Sequence, residues 1–251
     1  MLFNSYIFIF IFLPAVLLGW YGLNKLQKYE LAKVFLTGMS LWFYGYFNTY
    51  YLFIIIASIL INYLISYLLT FCKTRRANHF GLFAGVAANL AILFYFKYYD
   101  FFIENINYVF RTDFNLKHIL LPLGISFFTF QQIAFLVDSA KGEISCQSPL
   151  DYALFVTFFP QLIAGPIVSH EEMLPQFRDM SRKHIQAENV YKGLRLFVLG
   201  LAKKVLMADT FGQAANWGFQ NYTILSGPNA FAAMLFYTFQ IYFDFSGYCD
   251  M

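Results

Sequence analysis

Charged residues are scarce in this 251-residue sequence. Seventeen Lys and Arg and 14 Asp and Glu make up 12% of the chain, against roughly 25% in an ordinary globular domain. So few charges cannot cover a water-exposed surface, which argues against a soluble enzyme, a coiled coil or a disordered chain. The net charge of +3 is small and the basic residues are scattered, so no nucleic-acid partner is expected.

Cysteine and histidine are also few, and their spacing does not favour metal binding. The three cysteines, Cys72, Cys146 and Cys249, form no CxxC pair, so neither a disulfide framework nor a zinc site is expected. Cys146 is interpreted as an inert thiol, with palmitoylation near a membrane boundary as the alternative. No histidine lies at ligand spacing from another His, a Cys or a Glu. We expect interfacial positions for all four: His79, His118, His170 and His184.

Apolar residues, by contrast, make up 59% of the chain and aromatic residues 22%. This excess predicts an all-α, polytopic integral membrane protein, a single membrane domain over residues 1–251 with seven or eight embedded segments. Val34–Cys72 is long enough for two passes, with a turn near Gly45–Asn48. A helix near Val190–Ala208 is amphipathic and either interfacial or partly embedded. The charge-free runs are Met1–Asn24, Val34–Cys72, Ala77–Phe96, His118–Val137, Tyr152–His170 and Thr210–Phe243.

Basic residues then indicate the orientation. They cluster in the first loop and in the loop after the double pass, which places both loops in the cytoplasm and the N-terminus outside. The loop Tyr98–Lys117 is then also outside. The first run lacks the basic start of a signal peptide and is interpreted as an uncleaved span. The clustered residues are Lys25, Lys28 and Lys33, then Lys73, Arg75 and Arg76.

Helix breakers and polar residues interrupt the apolar runs. Pro160 and Gly165-Pro166 predict that Tyr152–Val168 is either a re-entrant pair of half-helices or one kinked span, and the sequence does not choose between them. Polar residues fall on shared helix faces, which predicts either a polar cavity or interhelical hydrogen bonds. Asp151 is expected to cap the helix after Ser148-Pro149. The polar faces hold Gln131 with Asp138, and Gln240 with Asp244 and Tyr248.

Four ordered segments resemble the membrane-bound O-acyltransferase superfamily, in particular its bacterial polysaccharide O-acetyltransferases. The first, LPLGISFFTFQ, is followed by Asp138; the second is LDYALFVTFFPQLIAGPI; the third, LGLAKKV, is followed by Asp209; the fourth is FQIYFDFSGYCDM, with Cys249 replacing the usual Ser. The segments begin at Leu121, Leu150, Leu199 and Phe239.

The resemblance implies a helical bundle in the bacterial inner membrane that moves an acyl group, in this branch acetyl, to hydroxyls of an exported polysaccharide such as alginate. Acetyl-CoA is the implied donor and no bound cofactor is implied. Besides the glycan and membrane lipid, a periplasmic acyltransferase is the implied partner. The residues expected near the substrate tunnel are Gln131, Pro160, Gln161, Gly165, Pro166, Gln240, Asp244 and Tyr248.

The general base of this family is a His in a Trp-Arg-Arg-Trp-His type segment that follows the fourth block. The four histidines of this chain lie elsewhere, so no catalytic residue is assigned and the general base is expected beyond Met251. We therefore expect the 251 residues to be a fragment or truncation, inactive alone. The alternatives are D-alanyl transfer of the teichoic-acid type, part of a transporter or channel, and an inert remnant.

Overall fold

A computed structural model describes residues 2–71, 74–144, 148–163, 165 and 168–251. Every regular element in these residues is a helix, which confirms the all-α prediction. Short π-helical segments at Phe8–Phe12 and Lys203–Ala208 precede α1 and α11, and a 3₁₀ turn spans Met180–Lys183. The α-helices are α1 (Leu13–Lys25), α2 (Tyr29–Gly45), α3 (Thr49–Phe71), α4 (Arg75–Lys97), α5 (Tyr99–Phe110), α6 (Ile125–Lys141), α7 (Pro149–Thr157), α8 (Phe159–Leu162), α9 (His170–Arg178), α10 (Ala187–Ala202), α11 (Asp209–Gln220) and α12 (Gly227–Asp250).

One compact unit comprises residues 28–179 and holds α2 to α9. Within it α6 packs against α3 and α4, while α7 packs against α2. The core is aromatic and aliphatic, with Phe128, Phe135 and Tyr152 almost fully buried. Polar side chains such as Asn62, Asn89 and Gln132 are also buried in this unit, while many large apolar side chains are exposed. Lipid-embedded helical bundles have this arrangement.

The second unit comprises residues 1–27 and 180–251. Its centre is α12, which packs along α10, the π-helical segment Lys203–Ala208 and α11. The backbones cross closely where two glycines meet: a Cβ added to Gly200 would lie 2.6 Å from the carbonyl oxygen of Gly247. The expectation of one membrane domain over residues 1–251 stays a prediction.

Among the described residues, three helices are long and apolar enough to span a membrane: Phe8–Lys25, Thr49–Phe71 and Arg75–Lys97. The turn predicted near Gly45–Asn48 is present, since α2 ends at Gly45 and α3 begins at Thr49. The second of the two predicted passes, α3, is one of these candidate spans, and the first stays a prediction. The helix predicted near Val190–Ala208 is also present, as α10 and the π-helical segment.

Other boundaries differ from the sequence expectation. The charge-free run His118–Val137 is not helical until Ile125, because Gly124 adopts a left-handed conformation with φ of 71° and ends the preceding loop. The run Thr210–Phe243 is broken between Gln220 and Gly227, where α12 starts with Gly227 and Pro228 in its first turn. Tyr98–Lys117 contains α5 rather than loop alone.

Candidate functional site

The Pro-interrupted segment forms two short helices, α7 and α8, separated at Phe158, whose φ of −51° and ψ of 109° are not helical. Pro160 lies in the first turn of α8, where a missing N–H costs nothing. Gln161 Nε2 donates to the carbonyl of Phe155 at 2.7 Å. That carbonyl belongs to the last turn of α7, so Gln161 satisfies a group that the helix end leaves free. The segment thus consists of two half-helices and not of one continuous helix, and its re-entrant course stays a prediction.

Gly165 closes the same turn. Its N–H donates to the carbonyl of Gln161 at 3.2 Å, and an added Cβ would lie 2.5 Å from Cα of Gln161. Only glycine fits so close to that backbone. Pro166 lies outside the described residues, as do Cys72, Cys146 and Lys73.

A buried ion cluster joins α2, α7 and α9. Asp151, only 4% exposed, accepts from Lys33 Nζ and from an Arg178 guanidinium nitrogen, each at 2.8 Å. Lys33 also contacts Glu30 at 3.1 Å. The expected capping role of Asp151 is therefore wrong: both carboxylate oxygens face cations on other helices. Lys33 lies within α2 and is buried, so it is not part of the first loop.

The pKa values of Asp151 and Lys33 are both shifted by their surroundings. Burial alone would raise the pKa of Asp151, but hydrogen bonds from Lys33 and Arg178 outweigh it and lower that pKa. Burial would lower the pKa of Lys33, but the Asp151 and Glu30 carboxylates outweigh it and raise that pKa. Each group thus keeps its charge inside the protein.

His170 is buried, unlike the other three histidines, which are exposed. Its Nδ1 lies 3.6 Å from a carboxylate oxygen of Asp138, and its ring meets those of Phe135 and Phe155 edge-on. His170 is therefore packed in the core of its unit and paired with one acid. The described residues hold no group of three or more His, Cys, Asp or Glu that could bind a metal.

A buried amide cluster, which sequence reasoning missed, links α3, α4 and α6. Asn62 Nδ2 donates to Asn89 Oδ1 at 3.1 Å and to Gln132 Oε1 at 2.8 Å, and Ser58 Oγ donates to the same Gln132 oxygen at 2.6 Å. Gln131, the predicted site residue, is also buried, but its neighbour Gln132 makes these contacts. The available signal was Ser58 and Asn62, four residues apart inside a long apolar run.

The polar stripe of α12 packs on neighbouring helices of its own unit. The side chain of Gln240 approaches Gly212 of α11, Asp244 pairs with Lys204 at 2.8 Å, and the Tyr248 ring contacts Phe3 edge-on at 5.0 Å. Lys204 also pairs with Asp209 at 2.9 Å. Burial would lower the pKa of Lys204, but these two carboxylates raise it.

A cavity of about 290 Å³ lies between α11 and α12 and is lined by Trp217, Gly218, Asn229 and Phe236 among others. No described member of the predicted tunnel set is among its lining residues. The structure places Gln131, Pro160, Gln161 and Gly165 in one unit, and Gln240, Asp244 and Tyr248 in the other. Their role in a substrate tunnel stays a prediction.

Comparison with known proteins adds independent information. Residues 136–251 match the model of the membrane-bound O-acyltransferase family. The whole chain is 42% identical to a peptidoglycan O-acetyltransferase of Helicobacter pylori, of which it covers 53%. It is 36% identical over its whole length to a probable alginate O-acetylase of Pseudomonas aeruginosa, of which it covers 48%.

A more distant relative is a teichoic acid D-alanyltransferase of Bacillus subtilis, 28% identical over 50% of this chain and 32% of that protein. The chain therefore spans about half the length of the polysaccharide O-acetyltransferases that it matches. Together with the three apolar helices, these matches identify an integral membrane protein.

Proposed function

We propose that the protein carrying this chain transfers acetyl groups to hydroxyls of an exported polysaccharide, because residues 136–251 match the model of the membrane-bound O-acyltransferase family. The observation that carries the proposal is the whole-chain similarity to two polysaccharide O-acetyltransferases. Peptidoglycan is the proposed acceptor, because the identity to the peptidoglycan enzyme is higher than that to the alginate enzymes.

The structure supports a role in enclosing a reaction. Inside lipid, broken helices persist only where protein or a cavity satisfies their backbone groups. At the α7–α8 break, two backbone groups are paired by side chains. The Phe155 carbonyl accepts from Gln161 Nε2, and the Phe159 N–H donates to Ser40 Oγ at 3.3 Å. We propose that this rigid, water-poor wall limits hydrolysis of the acyl donor, as a dry site must.

Acetyl-CoA on the cytoplasmic side is the proposed donor, and a periplasmic acyltransferase is the proposed partner. The inner membrane and an outside N-terminus are proposed with them. A thioester donor reacts with a sugar hydroxyl only when a base removes the hydroxyl proton. None of the four histidines of this chain lies in a Trp-Arg-Arg-Trp-His type segment, so we propose that residues 1–251 alone transfer no acetyl group.

The test uses membranes that contain the complete gene product carrying this sequence. Isotope-labelled acetyl-CoA, peptidoglycan and the periplasmic fraction of the host, which contains the proposed partner, are supplied, and base-labile esters on the isolated glycan are measured. We expect label on the glycan with the complete product and none with residues 1–251. Label on the glycan with residues 1–251 would contradict the expected inactivity, and no label with the complete product would contradict the proposed donor and acceptor.

D-alanyl transfer is the second candidate, because the chain also resembles a teichoic acid D-alanyltransferase. The same membranes, given labelled D-alanine with its activating and carrier proteins, distinguish the two. Acetyl esters without alanyl esters support the first candidate, and the reverse supports the second.

A further inference from the structure

The helix α5 carries its polar and its apolar side chains on opposite faces. All 12 of its residues lie in the described part of the chain, and none of them is buried. Val109 and Phe110 expose 67% and 71% of their surface. An apolar face left this open is typical of a surface that contacts another molecule or a membrane. The polar face holds Asp100, Glu104 and Asn107, and the apolar face holds Phe102, Ile103, Ile106, Val109 and Phe110.

The polar face of α5 binds the irregular segment that follows the helix. The two carboxylate oxygens of Asp100 accept from the N–H of Lys117 at 2.8 Å and from that of Ile119 at 3.2 Å. The Asn107 side chain donates to the Phe114 carbonyl and accepts from the Phe114 N–H, both at 2.9 Å. Asp100 and Asn107 are seven residues apart and therefore lie on the same face. Four backbone groups of the segment are thus paired without water, as a position close to lipid requires.

The chain bends where α4 meets α5. Tyr98 alone separates the two helices, with φ of −119° and ψ of −4°. The ring centroids of Phe94 and Phe102 are 5.6 Å apart, although eight residues along a straight helix cover about 12 Å. The bend therefore closes on the side of Phe102, and the apolar face of α5 is directed back along the flank of α4.

The flank of α4 indicates where the membrane lies. This helix is one of the candidate spans, and its 23 residues cover about 35 Å, against about 30 Å for the hydrocarbon core. Its Lys and Arg residues lie only at its two ends, at Arg75, Arg76 and Lys97, as is typical of residues that anchor a span at the interfaces. The helix α5 therefore begins at a membrane surface with its apolar face directed toward lipid.

We propose that α5 and the segment bound to its polar face form an interfacial anchor, which lies along the bilayer surface with its apolar face among the lipid acyl chains. Amphipathic helices bind bilayers in this way, with the apolar face about 5–10 Å deep. Lys97 Nζ lies 5.3 Å from the centre of the Tyr98 ring. Lys117 Nζ lies 4.9 Å from the centre of the Tyr99 ring. Lysine and tyrosine side chains are both suited to the level of the lipid headgroups.

Nitroxide labels on the two faces of α5 test the proposal. The complete gene product, with its native cysteines replaced by serine, is reconstituted in nanodiscs of phosphatidylethanolamine and phosphatidylglycerol. Val109→Cys and Glu104→Cys provide attachment sites on opposite faces, and both replace exposed side chains. Oxygen concentrates in lipid and a nickel chelate stays in water, so the ratio of the two collision rates reports what surrounds each label.

We expect an oxygen-to-nickel ratio several-fold higher at Val109 than at Glu104. Labelled lipids in the same nanodiscs calibrate depth, and the Val109 label should match a nitroxide near the headgroup rather than one at the end of an acyl chain. Phe110→Cys, also on the apolar face, should give the same result as Val109→Cys.

Three results would overturn the proposal. Equal ratios at Val109 and Glu104 would show that the two faces do not differ in their contact with lipid. Protection of Val109 from both reagents would show that protein covers the apolar face. A depth at the bilayer centre would show that α5 belongs to a membrane span. The proposal does not depend on acyl transfer, so a failed acetylation test leaves it standing.

Discussion

Among single residues, Asp151 joins three helices through one buried carboxylate. Its carboxylate holds two cations from other helices in the core of the unit of residues 28–179. Asp151→Asn leaves Lys33 buried beside a neutral amide, which should lower the free energy of unfolding by about 3–5 kcal/mol. Thermal or denaturant unfolding in detergent measures the loss.

Glu30→Gln is the matched control, since Glu30 pairs with the same lysine but its side chain is 73% exposed. An exposed partner contributes about 0.2–1 kcal/mol, so this variant should unfold almost like the unaltered protein. Equal losses for the two variants would show that the buried pair is not what stabilises the three helices.

The same ion cluster predicts how stability depends on pH. The pKa of Asp151 is lowered in the folded protein from an ordinary value of 3.8, so the unfolded chain binds its proton first. The stabilisation is complete above that ordinary value and is lost as pH falls through the lower folded value. Unfolding midpoints measured against pH should fall more steeply below about pH 4 for the unaltered protein than for Asp151→Asn. Parallel curves would contradict this.

The structural roles of individual residues could be predicted from the sequence only in part. The proline and glycine near α8 indicated a break, because both residues restrict the backbone. The sequence singled out Gln131 but not Gln132, because two adjacent amides on one helix cannot be ranked without knowing which one faces Asn62. The partners of Asp151 are 118 and 27 residues away, which no local pattern reveals.

At the scale of elements, the crossing of α10 and α12 depends on glycine. A Cβ on Gly200 would lie 2.6 Å from the backbone oxygen of Gly247, and neither backbone can move away cheaply. Gly200→Ala should therefore destabilise the protein by about 1–3 kcal/mol. Gly193→Ala, on the same helix with nothing within 4 Å, should stabilise it by up to about 1 kcal/mol.

Unfolding of both variants in detergent checks the pair, and the opposite signs are the diagnostic result. If Gly200→Ala also stabilises the protein, helix propensity alone governs the position and the close crossing is wrong.

The start of α6 offers a second comparison of glycines. Gly124 and Gly142 flank this helix with φ of 71° and 79°, so alanine at either position costs about 1–2 kcal/mol of backbone strain. A Cβ at Gly124 would also collide with the carbonyl oxygen of Leu162, whereas Gly142 has open space. Gly124→Ala should cost about 1–3 kcal/mol more than Gly142→Ala in unfolding experiments. Equal costs would contradict the contact between the loop and α8.

Helices were easier to predict than their ends. Long apolar runs indicated α3 and α4. The Gly45–Asn48 turn was placed correctly because the 39-residue run Val34–Cys72 is too long for a single helix across the membrane. Breaks at Gly124 and at Asn221–Ser226 were missed, since hydropathy does not register a left-handed glycine or a helix that restarts at Gly227-Pro228.

At the scale of the whole molecule, composition alone predicted a helical membrane protein, and the helices and the family match confirm it. The match to the family could be predicted from four sequence blocks, of which the second and third contain Asp151 and Lys204. The structure gives both residues ion pairs between helices. The catalytic centre could not be predicted, because none of these blocks supplies a general base.

Measuring acetylation of the cell wall is the sharpest test of the proposed acetyl transfer. The gene carrying this sequence is deleted in its own host, restored on a plasmid, and the O-acetyl esters on isolated peptidoglycan are quantified by mass spectrometry. We expect the esters to disappear on deletion and to return with the restored gene. Unchanged esters in the deletion strain, in a host with no second acetyltransferase gene of this family, would contradict it.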